Sequence, residues 1–72
     1  MSDGLPMFGD HEATVLSAAP VSIHGDAYHD LDVRIDGQPH RVRVMGALFA
    51  SPPTSGATLT LSFLMGQVTA VR

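Results

Sequence analysis

Between Tyr28 and Met45 the chain alternates between apolar and charged side chains. Leu31, Val33 and Ile35 are interleaved with Asp30, Asp32 and Arg34, and Val42 and Val44 with Arg41 and Arg43. A period of two sorts the apolar set to one face of a strand and the charges to the other, which no helix can do. The β-branched content points the same way. The spacing therefore predicts an antiparallel hairpin with Leu31, Val33, Ile35, Val42 and Val44 turned inward.

Two registers compete for this hairpin. A two-residue turn at Asp36-Gly37, a pair suited to positive φ, sets Asp30 opposite Arg43 and Asp32 opposite Arg41. A four-residue loop, Asp36 to Pro39, sets Leu31 opposite Val44 and Val33 opposite Val42, at the cost of Arg34 opposite Arg41. Both keep the same inner face, because they differ by an even number of residues. The longer loop is favoured because it keeps Pro39, which has no N–H to donate, out of the ladder.

The rest of the chain supplies material to close this hairpin into a small β-structure. Residues 1–11 hold two glycines, a proline and two aspartates and are expected to form a flexible arm, with Leu5, Met7 and Phe8 able to tuck against the body. Residues 12–18 are a modest strand candidate, diluted by alanines, with a short helix as the alternative. Pro20 bends or interrupts the chain before Val21 to His24 resume the extended pattern. His24-Gly25-Asp26 is a turn. Gly46 to Ser55 breaks the alternation, and Pro52-Pro53 stops whatever helical turn starts there. Leu59, Leu61 and Phe63 mark a second strong strand. Met65-Gly66 turns the chain into a return strand, 67–71. A type I turn with Gly66 in a bulge is expected, since methionine suits positive φ poorly. A simple hairpin there leaves Leu64 and Val71 towards the outer face, where they could mark a contact between copies.

The expected fold class is all-β: a small five-stranded antiparallel barrel over residues 12–72, SH3-like or OB-like, with at most one short helical turn at 47–50. A sixth strand results if Pro20 separates two pieces. The absence of a longer helix before the fourth strand tilts the expectation to SH3-like. Seventy-two residues, 44% of them apolar, support one domain with a small core. Neither a disulfide nor a thiolate metal site is available without cysteine. The default location is cytoplasmic, and no stretch reaches the apolar length of about 18 residues that a membrane span needs.

Seven acidic residues outweigh four arginines, for a formal charge of −3 with no lysine. That balance disfavours binding governed by phosphate neutralisation. Arg41 and Arg43, close to Arg34, keep open a nucleic-acid-binding barrel as an alternative. Four histidines are many for this length, and His24, Asp26 and His29 are a weak candidate metal set for zinc or nickel. Alternation places His29 and His40 on the hairpin's apolar side. No serine, histidine and carboxylate show the pattern of a nucleophile with its base, and the glycines are scattered among turns. Asp30 and Asp32, beside arginines, are expected to stay ionised rather than act as acids. The expectation is a chain that is not an enzyme and needs no cofactor. It would serve as a macromolecular interaction or accessory module with a protein partner or a second copy of itself. Leu48 and Phe49, in the long 46–56 connection, are contact candidates, with Phe49 the better anchor. Leu64, Val71, Arg41 and Arg43 complete the candidate set. A competing role for Leu48 and Phe49 is to cap the core.

Overall fold

The computed structural model describes residues 4–72, so residues 1–3 of the expected arm lie outside the described residues. One long strand, β1 (Phe8–Ile23), carries the architecture. It is followed by β2 (Asp26–Ile35), β3 (Gln38–Met45), a single 3-10 turn (Gly46–Leu48), β4 (Thr58–Leu64) and β5 (Gln67–Val71). The five strands form one antiparallel sheet in the order β3-β2-β1-β4-β5, curled into a half-barrel. The helical turn is three residues long, beginning one residue before the expected 47–50 and ending two residues before its end.

β1 serves two half-sheets. Residues 8–14 pair with β4, and residues 14–23 pair with β2, so only Thr14 is shared between them. Phe8 to His11 are therefore ladder residues, opposite Leu64 to Leu61, rather than part of an arm. Between the halves, Val15 pairs with Val33 and Ser17 with Asp32, which leaves Leu16 as a bulge. The extra residue flips the phase: odd positions Ala13 and Val15 face inward before it, and Ala18 after it. This phase change is why the alternation of residues 12–19 looked weak. A bulge also sharpens the local twist, so the sheet folds over on itself there. The bulge is clipped by the crossover: Gly56 N donates to Val15 O (2.7 Å), Val15 N to Ala57 O (2.8 Å), and Ser55 Oγ to Leu16 O (2.7 Å).

The three hairpins share one turn. His24-Gly25, Asp36-Gly37 and Met65-Gly66 all have positive φ at both positions, 51–53° and then 79–84°. This is the type I′ geometry, whose twist matches that of the flanking strands. It overturns the four-residue loop expected at 36–39. Ile35 pairs with Gln38 and Arg34 with Pro39. In a two-residue hairpin the flanking pair exchanges both hydrogen bonds and the next pair exchanges none. Pro39 falls at that second position, so its missing N–H costs the β2–β3 ladder nothing. The same logic seats Pro20, opposite His29, on the stretch of β1 that has no strand on its other side. At 65–66 the type I′ turn replaces the expected type I turn with bulge. The irregularity lies further on: Phe63 pairs with Val68 but Ser62 with Ala70, leaving Thr69 unpaired. That shift brings Val71 opposite Leu61 and against the core, not to the outer face.

The core is one cluster inside the curl: Ala13, Val15, Leu31, Val33, Ile35, Val42, Val44, Leu61 and Phe63, each 0–5% exposed. All five inward residues expected of the central hairpin belong to it. Among the described residues no helix is long and apolar enough to cross a membrane.

Candidate functional site

Among the described residues, the half-barrel leaves its two outer strands, β3 and β5, without a neighbour on one side. The β2–β3 register decides what β3 shows there. Gln38, His40, Val42 and Val44 occupy the hydrogen-bonded positions towards β2, so the N–H and C=O groups of Arg41, Arg43 and Met45 point away from it. Beside this edge lies a cleft of about 410 Å³. Its wall on one side is Arg41, Val42, Arg43 and Met45, on the other the turn and start of β5 at Gly66, Gln67 and Val68, with Leu5 and Tyr28 completing it. Leu5 rests against the core, and Gly66 N donates to Met7 O (3.0 Å), so the segment leading into β1 runs along this open seam.

The outer face above β2 and β3 carries the charged row. Arg41 Nε donates to Asp32 Oδ1 at 2.9 Å and Arg43 Nε to Asp30 Oδ1 at 2.7 Å, each with a second bond from Nη2. Ser17 Oγ donates to Asp32 Oδ2 (2.8 Å). The Arg43 hydrogen bond holds the Asp30 carboxyl below the ordinary aspartate value, and those from Arg41 and then Ser17 do the same for Asp32. Both carboxylates are thus ionised structural partners. Arg34 makes no ion pair among the described residues. On the other half-sheet Ser62 Oγ and Arg72 Nη2 both donate to Asp10 (2.6 Å each), and the Ser62 bond is the main cause of its lowered pKa.

The remaining candidates are scattered. Leu48 and Phe49 are partly buried against the core, and Phe49 meets the His29 ring edge-on at 5.2 Å. Leu64 is exposed opposite Phe8, itself exposed, with exposed Met7 and Met65 nearby. Sequence reasoning left Phe8 in the arm, and its role in this patch was hidden because Gly9 interrupts the apolar alternation. His24 sits in a turn, Asp26 on the outer face at the start of β2, and His29 on the inner face beneath Phe49. An odd spacing from Asp26 to His29 puts them on opposite faces, so the suspected metal set is not assembled. Among the described residues no three His, Cys, Asp or Glu side chains converge as metal ligands would. His11 donates to Phe8 O (3.0 Å) and packs edge-on against Phe63 at 5.8 Å, a structural placement that β1 imposes. His40 is half-buried opposite Val33. In comparisons with family models, curated proteins and solved structures, none matches this chain.

Proposed function

We propose that this chain is a non-catalytic interaction module that holds a protein partner, built on a small barrel of SH3-like or OB-like type. The observation that carries the reading is the open seam. An unpaired strand edge lies beside a cleft with both apolar and polar walls, on a scaffold pinned by three tight turns. Edge strands beside grooves are recurrent sites of peptide recognition. The geometry weighs against the nucleic-acid alternative. A formal charge of −3 and the carboxylates of Asp32 and Asp30 beside Arg41 and Arg43 leave no run of unneutralised cations for a phosphate backbone, while the Nη1 group of each guanidinium stays available for a short-range hydrogen bond.

A photo-crosslinking residue at Gln67, in the seam, and at Glu12, on the outer face of β1, tests this in native cell extract. Protein adducts at position 67 that are absent at position 12 and survive nuclease treatment are expected. Adducts that contain nucleic acid, or adducts equal at both positions, overturn the reading.

A further inference from the structure

We propose that the seam accepts one more strand: an extended peptide segment that hydrogen-bonds to β3 at Arg41, Arg43 and Met45 and carries aspartate or glutamate at alternate positions. This rests on the protein-binding reading above and supplies the chemistry of the partner.

The backbone argument comes first. Outward N–H and C=O groups on alternate residues of β3 form a template for strand addition. Folded proteins usually blunt such an edge with a bulge, a proline or a very short strand. β5 is blunted, being five residues long and bulged at Thr69. β3 spans eight residues without a register shift, and its one proline sits at the turn end.

Side chains then choose the occupant. β3 holds two arginines and a histidine but no acidic residue. Each guanidinium carries five N–H groups, and the bonds to Asp32 and Asp30 use those on Nε and Nη2, so Nη1 is uncommitted. Residues of an added strand facing Arg41 and Arg43 would therefore gain most by being carboxylates. The alternate residues would turn towards Val42, Val68 and Leu5 in the cleft and gain by being apolar. The other flank of β3 already shows this solution: Asp30-Leu31-Asp32-Val33 of β2 offers carboxylates to the two arginines and apolar side chains to the core. A second copy of the chain fits less well. A two-fold pairing of β3 with itself centred on Val42 or Arg43 sets arginine opposite arginine.

Met45 provides a clean test. Its φ of −60° and ψ of 132° are those of a proline, and its N–H points away from β2. Met45→Pro should leave the melting temperature unchanged and delete one outward donor. The probe is a capped seven-residue peptide alternating valine and aspartate, with a lysine-for-aspartate version as the control. By NMR, the acidic peptide should slow amide exchange at Arg41, Arg43 and Met45 by tenfold or more, on the order of the occupancy expected at ten times Kd. Met45→Pro should weaken binding by about fivefold to tenfold, the effect of one hydrogen bond. Arg41→Gln, at an exposed side chain, should shrink the preference for the acidic peptide over the lysine one. Three results overturn the proposal: exchange unchanged on β3, equal binding of both peptides, or protection of β3 by self-association as protein concentration rises. If Gln67 still crosslinks to protein while β3 stays unprotected, strand addition fails and the protein-binding reading stands. Loss of the crosslinks defeats that reading independently.

Discussion

Asp30 and Asp32 earn their low pKa values from Arg43 and Arg41, and this sets the direction of the acid response. A carboxyl whose pKa is lowered by folding stabilises the fold above its unfolded value. That contribution is lost as pH falls through the lowered folded values, below the ordinary 3.8. The melting temperature should therefore hold near neutrality and fall in strongly acidic buffer. In an Asp30→Asn/Asp32→Asn variant the starting value should be lower and the acid-induced drop smaller. An equal drop in both proteins would show that other carboxyls govern acid unfolding. Met65 is a second residue with a readable cost. It holds φ of 53° while 71% exposed, a left-handed position that a long unbranched side chain does not favour. Met65→Asn should stabilise the domain by about 0.5–1 kcal/mol, readable in a urea titration as a raised midpoint at constant slope.

At the scale of elements, β4 gives the core two inward side chains from the strand that joins β1 to β5. Leu61 and Phe63 lie in the core between the two half-sheets, so Leu61→Ala and Phe63→Ala should each cost about 2–5 kcal/mol in chemical denaturation. The crossover clip is the other critical element. Gly56 has φ of 90° and donates to Val15 O beside the bulge. Gly56→Ala should cost about 1–3 kcal/mol through backbone strain, although a methyl group would meet open space there. Ser55→Ala, which removes the bond to Leu16 O, should cost about 0.5–1.5 kcal/mol. If both variants melt with the parent, the clip does not hold the bend of β1.

At the largest scale, the described residues form a sheet that curls far enough to enclose a core but not far enough to join β3 to β5. Two open edges follow, and amide exchange should reveal them. On β3 the amides of His40, Val42 and Val44 should be protected and those of Arg41, Arg43 and Met45 should exchange rapidly, an alternation reporting one bonded flank. Uniform protection along β3 in the free protein would mean that the half-barrel closes in solution. The seam is also where the partner is proposed to enter, so partner binding and completion of the barrel would be one event.

Alternation alone determined the central hairpin. Leu31, Val33, Ile35, Val42 and Val44 must share a face in any register that differs by two residues, and hydrophobic burial then selects that face. The strand expected at 57–64, found at Thr58–Leu64, and the return strand at 67–71 were legible for the same reason. The register itself was not, because Pro39 looks harmful until its position is known to be one that donates nothing to β2. The reach of β1 to Phe8, and the phase flip at Leu16, depended on partners distant in sequence: β4 for the first, Ser55 and Gly56 for the second. Likewise, which candidates would meet was decided by the fold. Arg41 and Arg43 could be matched to Asp32 and Asp30 from local pairing, but the cleft joins β3 to Leu5 and Val68 across the chain, and no local pattern encodes the gap between two strand edges.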